Sequence, residues 1–457
     1  MTNLSFSHRV TAALAANPVR LRVAFLGLLA LALALASVKY AAKVSKPADT
    51  GEQSRSAFLR WRTMIRDVFT GTNIYVGKNE YPNPPIMAII LRPFAELPPV
   101  VGAMSWFSAK VLVAVLAAVW TFRLVSPRPG EQGAGQVPDG AKAAAVLLAL
   151  PAVMGDLTHN NVNIFILFLV AGCLELYRSG RDVASGVVLG LAIACKVMPV
   201  MLLAFFVWKR AGRVVGGCAA GLVLWLVVAP GCVFGFDRNA ELLTDWYRLM
   251  VERPVLKGAV TSEHPNQSIV GFVYRLGTHS PSFIDYAQTP EGDVPVPAAY
   301  HNLVDIGRPA AWAVVKLATL GFAVAIMFLC RTPRAERQGW RFAAECGLIV
   351  MAMLLLSERT WKHHAVVLLI PAAALAVSTT VGLASSVRRL VVGSLVTAAV
   401  LMTLPGVFGT RAGDLALVYG THTIAFVLLT AATAAVLVCG LQQRDRSGGA
   451  RPGEIST

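Results

Sequence analysis

Apolar runs of about 20 residues recur along this chain, and they restrict its fold more than any other feature. Residues 21–41 and 312–330 are two of these runs, each long enough as a helix to cross a hydrocarbon core ~30 Å thick. The runs lack the alternation of strands, and backbone groups in lipid must be bonded internally. Because only 14% of the 457 residues are charged and the mean hydropathy is +0.61, a soluble domain is excluded. The sequence predicts an all-α polytopic integral membrane protein.

The first apolar run and the cysteines could be mistaken for features of a secreted, disulfide-bonded protein. The first run ends in small residues, but it is longer than the apolar region of a signal peptide and many runs follow, so we expect a retained anchor. All seven cysteines lie in apolar runs or at their edges, and none forms a C-x-x-C pair. We therefore expect neither a zinc site nor a disulfide framework.

The distribution of positive charge indicates how the chain crosses the membrane. The formal net charge of +16 would suggest nucleic-acid binding in a soluble protein, but cytoplasmic loops of membrane proteins are enriched in lysine and arginine. Placing every basic cluster in the cytoplasm gives an up-and-down chain with both termini inside. The clusters are Arg20 with Arg22, Arg123 with Arg128, Arg178 with Arg181, Lys209 with Arg210 and Arg213, Arg331 with Arg334, Arg337 and Arg341, Arg388 with Arg389, and Arg444 with Arg446.

One segment decides whether this topology is consistent. Residues 183–208 are largely apolar and are flanked by basic residues on both sides. As a single span, the segment would place one flank outside and invert everything after it. As a hairpin broken at Lys196-Val197-Met198-Pro199, it keeps both flanks inside, with arms of about 20 Å of helix each. Proline and an intramembrane lysine are plausible breakers, so we favour the hairpin.

With the two arms of this hairpin, the sequence predicts twelve membrane segments. They form a single transmembrane domain over residues 1–442, and residues 443–457 are predicted to be a disordered cytoplasmic tail. The other segments are approximately 21–41, 101–123, 141–155, 161–177, 214–235, 310–330, 342–356, 364–382, 391–407 and 420–440.

Under this topology the polar motifs gather on the outer side of the membrane. The motif Ser357-Glu358-Arg359-Thr360-Trp361-Lys362-His363-His364 stands directly before an apolar run. Charged groups cost several kcal/mol in hydrocarbon, so this cluster lies at an interface or lines a wet cavity. Trp361 alone would be an ordinary interfacial anchor, whereas a histidine pair beside it points to a functional site. The outer loop 42–100 is also basic, which suggests that the outer face meets an anion.

Four stretches follow one another in a recognisable order. The first stretch comprises Gly71-Thr72-Asn73-Ile74-Tyr75, Tyr81-Pro82-Asn83-Pro84-Pro85 and Leu91-Arg92-Pro93-Phe94-Ala95-Glu96-Leu97-Pro98. The second is Asn160-Asn161-Val162-Asn163, and the third comprises Gly186-Val187-Val188-Leu189-Gly190-Leu191-Ala192 and Lys196-Val197-Met198-Pro199. The fourth comprises Asn266-Gln267-Ser268, Arg275, Trp361-Lys362-His363-His364 and Pro371. Together they resemble the multispanning glycosyltransferases of family 87, of the GT-C class, which use polyprenyl-phosphate sugars. The resemblance implies a GT-C-like bundle of about 10–12 transmembrane helices.

The resemblance also implies which residues carry the chemistry. GT-C enzymes have an acidic base in the first outer loop, and alignment places it near Ser56, where this chain has no acid. We therefore take Glu52, Asp49 and Asp67 as candidate bases, each of which could instead be a solvated loop carboxylate. Candidate donor-phosphate ligands are Lys196 and Arg275, and His363 or His364 could bind the phosphate or assist proton transfer. Candidate sugar-binding residues are Asn83, Asn160, Asn161, Asn266, Gln267 and Trp361.

The function that follows is an inverting glycosyl transfer on the extracytoplasmic face of the cytoplasmic membrane. The donor would be polyprenyl-phosphate mannose or an arabinofuranosyl analogue, the acceptor a lipid or glycan, and the surroundings membrane lipids, with no nucleic-acid partner. No outer loop contains D-x-D, so we expect no metal or other cofactor. A transporter or lipid flippase would also have many spans, an intramembrane lysine and a broken helix. A non-catalytic relative that binds polyprenyl phosphate would explain the displaced acid.

Overall fold

The computed structural model of the protein describes residues 18–46, 56–77, 81–127, 136–256, 260–289 and 292–448. These residues form a helical bundle with one short β-hairpin. The helices are α1 (Pro18–Val44), α2 (Ala57–Asp67), α3 (Pro85–Ala95), α4 (Pro99–Val125), α5 (Asp139–His159), α6 (Asn163–Arg178), α7 (Asp182–Cys195), α8 (Val200–Trp208), α9 (Gly212–Phe234), α10 (Phe236–Tyr247), α11 (Ile269–Gly277), α12 (Gly307–Leu329), α13 (Trp340–Leu355), α14 (Leu369–Ser378), α15 (Ser385–Val407), α16 (Gly409–Val418) and α17 (Thr421–Gly448). A 3-10 helix, Lys362–Leu368, leads into α14, and π-helical turns occur at Val223–Val228 within α9 and at Arg248–Leu256 after α10.

The prediction of an all-α polytopic membrane protein is confirmed. In the described part of the chain, seven helices are long and apolar enough to cross a membrane: α1, α4, α5, α9, α12, α15 and α17. The other five predicted segments correspond to the shorter helices α6, α7, α8, α13 and α14 with its preceding 3-10 helix. Exposed leucines and valines cover the outside of α1 and α12, as expected for surfaces that face lipid. The last helix continues to Gly448, six residues into the predicted tail.

The broken hairpin is also confirmed. Helix α7 ends at Cys195 and α8 begins at Val200, so the break falls on the four residues that the sequence indicated. At the start of α7, Asp182 accepts a hydrogen bond from Arg337 Nη1 at 2.5 Å. After the end of α8, Lys209 Nζ donates to the Thr332 carbonyl at 2.7 Å and pairs with Glu345 at 2.6 Å. Both flanks of the hairpin therefore contact one segment, 332–345, and the chain returns to the side from which it came.

Glycines explain why α7 packs so closely against α9. A Cβ added to Gly186 of α7 would lie 2.1 Å from the Val214 carbonyl oxygen, and one added to Gly217 of α9 would lie 2.4 Å from the Val183 carbonyl oxygen. Neither separation is sterically allowed, so only glycine permits this approach of the two backbones. Small residues four apart are the usual solution for helices that associate in lipid.

The bundle has two chemically distinct ends. One, the basic end, collects Arg22 with Asp139, Arg123 and Arg178 with Glu175, and Arg337 with Asp182. The opposite end, the cavity end, collects the end of α1, the end of α5, the hairpin break at Lys196 and the start of the 3-10 helix before α14. The arrangement agrees with the expected up-and-down course, in which basic clusters and polar motifs lie on opposite sides.

A β-hairpin lies in the segment 236–309, which we expected to be an outer loop. Strands β1 (Pro281–Thr289) and β2 (Gly292–Tyr300) are antiparallel, with Tyr286 opposite Pro295 and Ile284 opposite Pro297. Prolines at these positions of β2 weaken the strand signal in the sequence. They are tolerated because a two-stranded sheet leaves each strand with an unpaired edge.

Candidate active site

A cavity of about 860 Å³ opens at the cavity end of the bundle. Its walls come from the end of α1, the start of α2, the end of α5, the loop 260–268, the segment 357–364 and α16. The lysine, arginine, histidine and acidic side chains that line it are Lys39, Lys43, Lys46, Arg60, Lys362, His159, His264, His363 and Asp414. Segments far apart in the sequence thus converge on one polar cavity at the end of an apolar bundle.

The cavity is electrostatically suited to an anion. Among the described residues, five lysine and arginine side chains line it and one carboxylate does. Lys43 Nζ donates to the Thr158 carbonyl oxygen at 3.1 Å, which holds the ammonium at the end of α5. Burial lowers the pKa of Arg60, but an arginine guanidinium stays charged at neutral pH. A phosphate at this position would meet several cationic hydrogen-bond donors.

A tier of imidazole rings forms one wall of the cavity. The rings of His159 and His363 stack with centroids 5.1 Å apart, and the Trp361 ring lies 5.6 Å from His363. The Asn161 amide nitrogen is 3.4 Å from His363 Nε2, so it can donate to that nitrogen in the neutral ring. His364 packs edge-on against His363 at 4.9 Å. The predicted histidine pair and Trp361 are therefore at this site, whereas His159 did not figure among the predicted site residues.

Lys196 lies close behind this wall in a buried polar network. Its ammonium donates to Asn163 Oδ1 at 2.5 Å, and the Asn163 amide donates to Asp156 Oδ1 at 2.9 Å. The other oxygen of Asp156 pairs with Lys110, which is fully buried, at 3.3 Å. Lys196 is near enough to His364 for the two to interact electrostatically. The structure brings Lys196 and the histidine pair together, and phosphate binding by Lys196 stays a prediction.

Arg275 occupies a different position from the one expected of a phosphate ligand. The side chain is fully buried, and its guanidinium donates to backbone carbonyls of the loop 260–268 and of α16. These carbonyls belong to Ser262, Glu263, Asn266, Leu417 and Val418, at distances of 2.8–3.4 Å. Burial lowers the pKa of Arg275 to about 10, so the group remains protonated at neutral pH. Because its donors face carbonyls, Arg275 holds one wall of the cavity in place and is not part of its lining.

Three of the predicted sugar-binding amides have structural partners. The Asn266 amide donates to the Thr261 and Glu358 carbonyls, both at 2.8 Å. The Gln267 amide donates to the His264 and Leu417 carbonyls at 2.6 and 2.8 Å. Asn160, at the end of α5, donates to Tyr40 Oη at 2.7 Å and to the Ala103 carbonyl. These residues are buried, fix the loops around the cavity and do not line it, and direct sugar binding by them stays a prediction.

Of the two other predicted amides, Asn161 lies beside His363 at the cavity, and Asn83 is buried elsewhere. Its backbone carbonyl accepts a hydrogen bond from Tyr75 Oη at 2.8 Å, and its own amide nitrogen has no hydrogen-bond partner among the described residues. Asn83 belongs to the packing between the segment 72–77 and the start of α3, and it is not part of the cavity lining.

The predicted bases fall into two groups. Asp49 and Glu52 lie outside the described residues, but the described residues on either side of them are at the cavity. Lys46 lines it, and Ser56 Oγ is 2.8 Å from the hydroxyl of Tyr40, which also lines it. Asp67 stands at the far end of α2 from Ser56, about 16 Å away along the helix, where its neighbours contact α9 and α10. Asp67 is therefore remote from the cavity.

Comparison with known proteins decides the family. Residues 81–357, more than half of the chain, match the family model described as glycosyltransferase family 87. The chain belongs to glycosyltransferase family 87. A polyprenol-phosphate-mannose-dependent alpha-(1-2)-phosphatidylinositol mannoside mannosyltransferase of Mycolicibacterium smegmatis is 27% identical to it over 211 residues, 44% of this chain and 46% of the relative. The chain thus aligns with less than half of that relative's length.

The cavity of this membrane glycosyltransferase combines matched and unmatched parts of the chain. His159 and His264 lie within the residues that match family 87, as does Lys196 behind the wall. The lysines of α1, the histidine pair and Asp414 lie outside that range. Within the described ranges, no three His, Cys, Asp or Glu side chains are grouped so that they could hold a metal ion. The expectation of a metal-free reaction stays a prediction.

Proposed function

We propose that this family 87 glycosyltransferase moves mannose from a polyprenyl-phosphate donor to a hydroxyl group of a lipid or glycan acceptor. The observation that carries the proposal is the cationic, histidine-lined cavity at one end of an apolar bundle. A donor with a lipid tail and a charged phosphate fits a site where a polar cavity adjoins the lipid, because its two parts need different surroundings. The mannosyltransferase relative, which depends on polyprenol-phosphate mannose, favours a hexose over a pentose.

We place the reaction on the extracytoplasmic face of the cytoplasmic membrane. Arg123, Arg178, Lys209 and Arg337 gather at the end of the bundle opposite the cavity. Loops enriched in lysine and arginine remain in the cytoplasm. With the basic end inside, the cavity faces outward, and a donor lipid in the outer leaflet reaches it from the side.

The cationic wall of the cavity consists of its lysine and arginine side chains, Lys39, Lys43, Lys46, Arg60 and Lys362. It accounts for departure of the donor phosphate. The bond from the anomeric carbon to the phosphate oxygen breaks as the acceptor oxygen attacks that carbon, and the polyprenyl phosphate leaves with one more negative charge. Groups that bind this developing charge stabilise the transition state more than the ground state. Lys43, Arg60 and the His159–His363 tier are the groups best placed to do so, with Lys196 adding positive charge from behind the wall.

A carboxylate takes the proton of the acceptor hydroxyl as the oxygen attacks. Asp49 and Glu52 are the candidates, because the chain on either side of them is at the cavity. A general base of this kind contributes about 100- to 10,000-fold to the rate. Ser56, at the position where the family resemblance expects an acid, favours a second candidate function, a non-catalytic protein that binds polyprenyl phosphate. The two functions differ in whether a glycolipid is made.

Lipid extraction from a strain that lacks the gene tests the proposal. We expect one mannose-containing glycolipid to disappear and its precursor with one mannose fewer to accumulate, and the wild-type gene to reverse both changes. A copy carrying Lys196→Met should fail to restore the glycolipid, whereas Lys142→Met, which alters a lysine at the basic end, should restore it. If an arabinose-containing product disappeared instead, the transferred sugar would be arabinose and not mannose. An unchanged lipid profile would favour the non-catalytic function.

A further inference from the structure

Asp414 is the exception to the cationic character of the cavity. It is the one carboxylate among the described residues that line the cavity, and its side chain is 42% exposed. Its Oδ1 atom lies 3.4 Å from His264 Nε2, and no described lysine or arginine forms an ion pair with it. Asp414 belongs to α16, outside the residues that match the family. A carboxylate in a cavity that attracts anions suggests that the cavity also binds a group other than the anion.

His264 is held in one orientation beside this carboxylate. Its backbone N–H donates to the Ser282 carbonyl at 2.9 Å, its Nδ1 is 3.2 Å from the same oxygen, and its ring packs on Phe283 with centroids 4.5 Å apart. A carbonyl only accepts, so Nδ1 is the nitrogen that carries the proton. Burial lowers the pKa of His264, and the nearby Asp414 carboxylate opposes that shift. Nε2 faces Asp414 Oδ1, and no described group donates a hydrogen bond to the second carboxylate oxygen.

A carboxylate that is exposed to the cavity accepts hydrogen bonds, so it favours a ligand that donates them. A phosphate has acceptor oxygens and negative charge, so Asp414 repels it. Neighbouring hydroxyl groups of a sugar or another polyol supply two O–H donors, one for each oxygen of the Asp414 carboxylate. We propose that the His264–Asp414 pair is the acceptor subsite of this enzyme and that it binds vicinal hydroxyls of a sugar or polyol acceptor. This inference rests on the proposed function, in which the cationic wall of the same cavity holds the donor phosphate.

Steady-state kinetics with octyl α-mannoside as acceptor tests the subsite. Asp414→Asn replaces an acceptor oxygen by a donor, so we expect the KM for the acceptor to rise about 10- to 100-fold, the range for loss of a hydrogen bond to a charged group. The KM for the donor and kcat should stay within about threefold. His264→Asn, whose amide can still donate to the Ser282 carbonyl, should raise the same KM by a smaller factor.

A matched control is Glu96→Gln, since Glu96 has a similarly exposed carboxylate, at 46%, and pairs with Arg66 and Arg92 outside the cavity. Its kinetic constants should equal those of the wild type. An unchanged acceptor KM in Asp414→Asn would overturn the subsite. So would a large fall in kcat at constant KM, because the pair would then act in proton transfer and not in binding.

A binding measurement separates failure of the subsite from failure of the proposed function. Saturation-transfer NMR on the protein in lipid nanodiscs should detect methyl α-mannoside with the wild type and lose the signal with Asp414→Asn. Binding of methyl α-mannoside without any transfer activity would contradict the proposed function and support the subsite. Equal signals from both proteins, or none from the wild type, would overturn the subsite even if transfer is observed.

Discussion

At the residue scale, the side chains at the cavity are held in their orientations by neighbouring side chains. His363 is fixed by Asn161 and by stacking on His159. Lys196 is fixed by Asn163, which is in turn bound to Asp156. Such arrangements reduce the reorganisation that binding a phosphate would otherwise cost.

The charge of Lys196 should matter for catalysis more than for folding. Lys196→Met keeps most of the aliphatic stem and removes the ammonium, so the positive charge behind the wall no longer stabilises the developing charge of the phosphate. We expect transfer to fall about 100-fold, the order of magnitude for loss of one electrostatic group in an active site. The amount of folded protein, measured by size-exclusion chromatography in detergent, should change little. Lys142→Met is the control, because Lys142 pairs with Asp139 at the basic end. Full activity of Lys196→Met would remove this residue from the phosphate site.

Individual site residues could be predicted from the sequence only where a polar group stands out against an apolar background. Lys196 and the histidine pair do so, and both are at the cavity end. Arg275, Asn266 and Gln267 also stand out, yet their partners are backbone carbonyls of distant segments, which no sequence pattern reveals. Asp414 was missed for the opposite reason, since a single carboxylate in an outer loop is common.

At the scale of elements, hydrophobicity located the helices, and close packing decided how they meet. Each of the twelve predicted segments contains a helix, because apolar runs in lipid have few alternatives. The break at Lys196 was predictable from its lysine and proline. The strand pair β1–β2 was not, since two prolines interrupt β2.

The contact between α7 and α9 gives a direct test of this packing. A methyl group at Gly217 would overlap the Val183 carbonyl, whereas one at the adjacent Gly216 would have no atom within 4 Å. Gly217→Ala should therefore lower the melting temperature of the detergent-solubilised protein by several degrees, consistent with an overpacking cost of about 1–3 kcal/mol. Gly216→Ala should leave it unchanged or slightly raise it, because alanine favours a helix. Equal effects of the two substitutions would contradict the close approach.

At the scale of the whole molecule, segregation of charge between the two ends predicts orientation in the membrane. In a cysteine-free background, Leu303→Cys, in the exposed segment between β2 and α12, should react with a membrane-impermeant maleimide in intact cells. Gly212→Cys, at the first residue of α9 on the basic end, should react only after permeabilisation. Labelling of both from the same side would contradict the hairpin at Lys196 and the orientation proposed for the cavity.

The central claim is that the cavity transfers mannose from polyprenyl phosphate, and the most direct measurement is the rate of that transfer by purified protein in nanodiscs. With radiolabelled polyprenyl-phosphate mannose and octyl α-mannoside, we predict a labelled dimannoside with the wild type and with Asp67→Asn. The double variant Asp49→Asn with Glu52→Gln should be slower by about 100- to 10,000-fold while still binding the donor. No labelled product from the wild type would contradict the claim, and an undiminished rate in the double variant would remove both carboxylates from the mechanism.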